Sequence, residues 1–350
     1  MVRPFPFKFG AMKRTVFAIL SLLILATACQ ENNTAKLDSK TTQDTASPFD
    51  SINALIKETP NDPDLYFQRA KMHYDQRDLV TSMNDVGRAL KLDSSNTDYY
   101  MLLADLKLIA KESRDSRDAL LKAYEIAPDD IQVLLRLGEL YMIVRDADAS
   151  FKYLNEALKL DVYNATAYRL KGFNYKYVGD TVNAVSSFQT AIEQDADDYD
   201  SYLQLGLLYS TAGIELAEDY YNNALKVRPG SVEALYAKGL FLQTIGRSRD
   251  AIRTYDQIIG ITSEYFDAWY NKGYIHLVQL EQYDSAAYNF TQAIDVGPEG
   301  YVAAYYNRGL AYEESGALLE AEADYRMALK FNPQYDLAAR GLGRVLGEEE

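Results

Sequence analysis

AAYYNRGLAYEESGALLEAEADYRMALKFNP, from Ala303 to Pro333, decides the fold. Tyr305, Gly309 and Tyr312 fall at helical spacing on one face of a first helix, and Ala321, Tyr325 and Ala328 do the same on a second. Gly316 breaks the chain between them, and Pro333 stops the second helix because proline cannot extend the hydrogen-bond ladder. Small residues let two helix backbones approach, and aromatic side chains fill the space beside them. A hairpin of this size cannot bury its own apolar face, so the stretch predicts neighbours built the same way.

Those neighbours are present. Ala70, Ala104, Gly138, Gly172, Gly206, Gly239, Gly273, Gly309 and Gly343 recur at intervals of 33 to 36 residues. Ala89, Ala123, Ala157, Ala191, Ala224, Ile258, Ala293 and Ala328 keep step with them, and an aromatic residue or Leu stands four places before each small residue, from Tyr66 to Tyr305. Pro60, Pro128, Pro229 and Pro298 stand where Pro333 does. This pattern of aromatic, Gly, Tyr, then Ala, aromatic, Ala and Pro resembles the tetratricopeptide repeat (TPR) family. The resemblance implies an all-α, right-handed superhelical solenoid of antiparallel helix pairs. It is specific for fold and says little of function.

In chain order, Met12, Lys13 and Arg14 precede an apolar run from Val16 to Leu25 and then Ala26, Thr27, Ala28 and Cys29. A basic start, roughly ten apolar residues and a small-residue end predict a secretory signal over residues 1–28, with Met12 a second candidate start. Cys29, the sole cysteine, ends a segment that resembles a bacterial lipobox, which implies lipidation at Cys29 and a lipoprotein of the cell envelope. Gln30 is not the Asp that marks inner-membrane retention in some bacteria, so the resemblance points to the outer membrane of a Gram-negative cell, with the periplasmic or surface face undetermined. Residues 29–48 read as the lipidated cysteine and a flexible polar tether, 49–62 as a capping half-repeat, 63–335 as eight repeats, and 336–350 as a capping helix with an acidic tail. The fifth repeat lacks one residue near Gly213, and the seventh has extra residues placed around Tyr283 to Ala286 and Pro298 to Tyr301.

Composition excludes several functions. The formal charge of −15 becomes −19 once Arg3, Lys8, Lys13 and Arg14 leave with the signal, which argues against nucleic acid. It leaves the lipid as the membrane contact. No catalytic residue, metal site or cofactor is predicted. His73 and His276 sit where other repeats carry Tyr, and Asp195, Asp197, Asp198 and Asp200 lack the glycine of a calcium loop.

Function therefore rests on the concave face. Carried over from the family, the groove positions of the C-terminal half are Tyr236, Leu240, Tyr270, Tyr274, Tyr306 and Leu310, none of them charged. The family's carboxylate clamp has Lys and Asn at such places, so this groove departs from it. Asn271, Asn307 and Arg308, with Lys272, are candidate donors to the backbone of a bound peptide. The expectation is a lipid-anchored, non-enzymatic adaptor that holds a protein or peptide and supports assembly or localisation of an envelope complex. The alternative is a structural or self-associating module without an exchangeable ligand. The oligomeric state is left open.

Overall fold

The computed structural model describes residues 47–347. The signal segment, Cys29, nearly all of the tether and the last three acids lie outside the described residues. Among those described there are eighteen helices and no strand.

Helix α1 (Pro48–Glu58) opens on a capping box, in which Ser47 accepts from the Asp50 amide while the Asp50 carboxylate accepts from the Ser47 amide. Helix pairs follow: α2 (Pro63–Asp75) with α3 (Leu79–Leu92), α4 (Thr97–Ile109) with α5 (Ser113–Ile126), and α6 (Ile131–Ile143) with α7 (Ala147–Leu160). Next come α8 (Ala165–Val178) with α9 (Thr181–Gln194), α10 (Tyr199–Thr211) with α11 (Leu216–Val227), and α12 (Val232–Thr244) with α13 (Ser248–Ile261). The seventh pair is α14 (Phe266–Tyr274), prolonged by a π-helical turn at Ile275–Gln279, with α15 (Tyr283–Val296). The eighth is α16 (Val302–Ser315) with α17 (Leu318–Phe331), and α18 (Asp336–Leu346) closes the row.

Every pair turns through one residue in the left-handed region, at Arg77, Lys111, Arg145, Gly179, Gly213, Gly246, Glu281 and Gly316. Each second helix packs between its own first helix and the next, while first helices of neighbouring repeats run side by side, α6 against α8 most closely. The first helices therefore form the inner layer.

The small-residue series marks the closest contact within each pair. A Cβ on Gly172 would lie 2.6 Å from the buried Phe188 ring, and one on Gly239 would lie 2.7 Å from the buried Tyr255 ring. Where the residue is Ala, at Ala70 and Ala104, the buried partners in the same clusters are the smaller Val86 and Leu120.

Repeat is tied to repeat by the cation one place before the small residue. Lys171 donates to Asn155 at 2.9 Å, Lys238 to Asn222 at 2.8 Å and Lys272 to Asp256 at 2.5 Å, each partner on the preceding second helix. Two repeats replace Lys with Arg and add a buried acid. Arg69 donates two 2.7 Å bonds to Asp85 and a third to Asn53 at 2.7 Å. Arg308 does the same with Asp324, both at 2.7 Å, and with Thr291 at 3.0 Å.

The missing residue of the fifth repeat is absorbed at the turn and the late start of α11, at Leu216. The seventh repeat departs from the expectation. One extra residue lies in the first helix, where Leu280 donates back five places to Ile275 at 3.1 Å, and not around Tyr283 to Ala286, which begins a regular helix. The second extra residue does fall in the loop that includes Pro298 and left-handed Gly300.

Candidate protein-binding face

Within α12, α14 and α16 the pairs Tyr236 and Leu240, Tyr270 and Tyr274, and Tyr306 and Leu310 are each four residues apart, one turn along the same helix face. Leu240 and Tyr274 are exposed, at 38% and 37%, and the others are half-buried. Each leading tyrosine leans on the aromatic ring of its own second helix: Tyr236 on Tyr255 (6.2 Å between centroids), Tyr270 on Phe290 (5.6 Å) and Tyr306 on Tyr325 (5.9 Å).

A second contact carries each tyrosine forward to the next repeat. Tyr236 meets Tyr265 edge-on at 5.6 Å, Tyr270 meets Tyr301 at 5.4 Å, and Tyr306 meets Tyr335 at 5.5 Å. Tyr265, Tyr301 and Tyr335 are the residues immediately before α14, α16 and α18. At the same place in the earlier repeats Asp62, Asn96, Asp130, Asn164, Asp198 and Ser231 cap the helix by accepting backbone N–H groups. The three tyrosines make no such bond. Losing a cap costs about 1 kcal/mol, and an edge-on aromatic pair returns about 0.5–1.5 kcal/mol, so the exchange is close to neutral for stability. It changes the surface instead, laying a phenol where an acid or amide stood.

Polar rungs complete the ladder. The Asn271 amide donates to the Tyr236 hydroxyl at 3.3 Å, and the Asn307 amide donates to the Tyr270 hydroxyl at 2.8 Å. Both asparagines are thus part of the junction between first helices, and the expectation that they stand free for a peptide backbone is corrected to that extent. Arg308 is corrected outright. One residue further round the helix than Asn307, it points at the second-helix layer, where it donates two bonds to Asp324 and one to Thr291. Lys272 is likewise committed, to Asp256.

The sequence reading did not single out Tyr265, Tyr301 and Tyr335. Their signal was a tyrosine at three successive cap positions, where a short polar residue is the rule. The junction itself recurs in an earlier repeat with different chemistry: Arg169, equivalent to Tyr236, pairs with Asp198 at 3.4 Å.

Burial raises the tyrosine pKa values along the ladder. It pushes Tyr236 up to about 12 and also raises Tyr265, Tyr270, Tyr301, Tyr306 and Tyr335, so all six hydroxyls stay protonated donors at neutral pH. Burial also raises the Asp267 carboxyl, on the first turn of α14.

The two histidines sit in packing and turn contacts. His73 lies 4.8 Å from the Phe49 ring, and His276 shares a 2.8 Å hydrogen bond with Gln282 across the π turn. Among the described residues no three His, Cys, Asp or Glu side chains converge as metal ligands, and no helix is long and apolar enough to cross a membrane. What this face offers is contact area and hydroxyl donors.

Three repeats of the chain match models of the tetratricopeptide repeat, at residues 302–335, 131–161 and 266–299. Tetratricopeptide repeat protein 37 of Xenopus laevis is 25% identical over 207 residues, covering 58% of this chain and 13% of that protein. BBSome complex member BBS4 of Bos taurus is 27% identical over 153 residues, covering 43% of this chain and 29% of its own. The chain thus spans less than a third of the length of either relative. A crystal structure of the C-terminal part of a TPR repeat-containing protein from Cytophaga hutchinsonii superposes with a TM-score of 0.61 at 16% identity. It covers 71% of this chain and 99% of that one, a likeness of fold. The architecture is a solenoid of tetratricopeptide-type helix pairs, and repeats of this type mediate protein–protein contacts.

Proposed function

We propose that the chain is a lipid-anchored adaptor of the cell envelope that holds a protein or peptide partner against the tyrosine ladder of α12, α14 and α16. The observation that carries the binding half of this reading is the continuity of the ladder. Three successive repeats place uncharged, half-exposed tyrosines in register on the inner layer, with Leu240 and Tyr274 exposed between them. Rigid aromatic side chains give large contact area at low conformational cost, which is why they dominate protein interfaces. The anchoring half rests on the segment from Met12 to Cys29, with the polar tether holding the acidic solenoid clear of anionic headgroups. The outer membrane is the proposed site, and the role is assembly or localisation of a complex without chemistry of its own.

Crosslinking and mass spectrometry on the membrane-anchored protein test the reading. We expect a defined envelope protein crosslinked within residues 236–310 and lost when Leu240→Asp and Tyr274→Ala are combined. Both side chains are exposed, so the double variant keeps its fold. Crosslinks confined to copies of the chain itself would overturn the adaptor reading in favour of a self-associating module.

A further inference from the structure

The face just described carries one charge that no side chain among the described residues pairs with. Asp267 opens a stripe on α14 that continues through Tyr270, Asn271 and Tyr274, at intervals of three, four and seven residues, so its carboxylate stands on the same side of the helix as the ladder. Asn271, one turn on, bonds the Tyr236 hydroxyl of the preceding repeat, which fixes where that side points. The Asp267 charge acts on the hydroxyls of Tyr236, Tyr265 and Tyr301, and on Tyr255 behind them. Phenol groups of neighbouring repeats therefore lie within reach of its charge.

Among acids at the equivalent place, Asp64, Asp98 and Glu233 are exposed to water, and Asp64 also accepts from the Tyr99 hydroxyl. Asp200 is half-buried like Asp267, but the residue before its helix is Asp198, another acid, where Asp267 has Tyr265. Asp267 is half-buried, and no side chain or backbone group among the described residues donates to it or pairs with it. The cations on α12, α14 and α16 are directed elsewhere: Lys272 to Asp256, Lys238 to Asn222 and Arg308 to Asp324. The positive end of α14 offsets part of the cost of half-burying this carboxylate, and a cation brought from outside relieves the rest. Tyrosine faces add to that attraction through their quadrupoles, and a guanidinium or ammonium over such rings is stabilised further as water leaves. The net charge of −15 draws basic segments toward the chain from a distance.

We propose that Asp267, with Tyr236, Tyr265 and Tyr301, forms a subsite for a basic side chain, Arg or Lys, of the bound partner. The partner segment is thus a basic residue flanked by apolar ones, the opposite charge preference from a clamp that grips a terminal carboxylate. This deepens the adaptor reading and rests on it.

The test is selection of a random twelve-residue phage-displayed peptide library on the full chain, with affinities of recovered peptides read from Trp269, the sole tryptophan, which is also on α14. Peptides lost on the Leu240→Asp, Tyr274→Ala double variant occupy the ladder. We expect those peptides to be enriched in Arg or Lys and to bind Asp267→Asn roughly ten- to a hundredfold more weakly, the range for losing a charge-assisted bond. Glu233→Gln, an equal change of charge at the exposed equivalent, is expected to leave affinity within twofold. Replacing the basic residue of a recovered peptide by citrulline is expected to cost as much as Asp267→Asn and to cost nothing further in that variant. Ladder-binding peptides without basic enrichment, or indifferent to Asp267→Asn, overturn the subsite and leave the adaptor reading standing. Failure to recover any ladder-binding peptide overturns both.

Discussion

Removing the Asp324 carboxylate should loosen one end of the solenoid by about 3 kcal/mol. Asp324 is 6% exposed and takes two bonds of 2.7 Å from Arg308, whose side chain is 18% exposed. In Asp324→Ala both charge-assisted bonds vanish and the guanidinium keeps Thr291 alone among its side-chain acceptors. Breaking a buried pair from one side costs about 3–5 kcal/mol, because the stranded charge stays desolvated. Arg308 has a flexible stem and some access to water, so part of that penalty is relieved by turning outward, and the lower end of the range applies. Arg308→Leu combined with Asp324→Leu removes both charges together and should recover most of the loss, since an apolar pair of similar volume substitutes for a buried ion pair at little cost. The assay is amide hydrogen exchange of the full chain, because a solenoid opens locally and a single melting temperature would average the effect away. Amides of α16, α17 and α18 should lose protection equivalent to about 3 kcal/mol in Asp324→Ala, while those of α6 to α9 are unchanged. A loss below about 1 kcal/mol, or a double variant as unstable as the two single changes added together, would refute the reasoning.

Three further outcomes are expected. Gly239→Ala places a Cβ 2.7 Å from the buried Tyr255 ring, and the overpacking cost of about 1–3 kcal/mol exceeds the helix-propensity gain of about 1 kcal/mol, so local exchange in α12 and α13 should speed up. Burial works to raise the Glu313 carboxyl, but bonds donated by Arg344 and Tyr325 outweigh it and hold the group below its ordinary value of 4.5. The stability that Glu313 contributes is therefore complete above that value and lost as the pH falls through the lower folded one. Protection of α18 should be constant well above 4.5 and fall as the pH drops below it in the native chain, and it should lose that fall in Glu313→Gln. Lys111 holds a φ of 65° that favours glycine, so Lys111→Gly should stabilise the turn between α4 and α5 by about 1 kcal/mol, read as slower exchange at that turn.

The helix pairs were legible because close approach demands a small residue at one repeating place, and a chain cannot hide a spacing of 34. The pairing of the ladder tyrosines with their second-helix rings follows from the same spacing. Three things were not legible. Asn307 and Arg308 are adjacent in sequence, but a step of about 100° around the helix sends one to the inner face and the other to the second-helix layer, and only packing decides which. The extra residue of the seventh repeat lies somewhere between Gly273 and Ala293 on spacing alone, and the π turn at Ile275–Gln279 is a choice made by the fold. Tyr265, Tyr301 and Tyr335 were passed over because a cap is looked for as a hydrogen-bonding side chain, and these positions are held by rings from the repeat before.

That exchange of caps has a mechanical side. In the first six repeats each first helix is capped by its own side chain, though Asp198 also pairs with Arg169 and Ser231 shares a bond with the Tyr199 hydroxyl of the preceding repeat. From α14 onward the helix start leans on a phenol of the preceding repeat, and Asn271 and Asn307 rivet the same two seams. Pulled from end to end, the array should stretch like a spring with uneven coils, the early turns compliant and the last three moving as a plate. An array built this way yields first at its N-terminal repeats and holds its shape at the C-terminal ones.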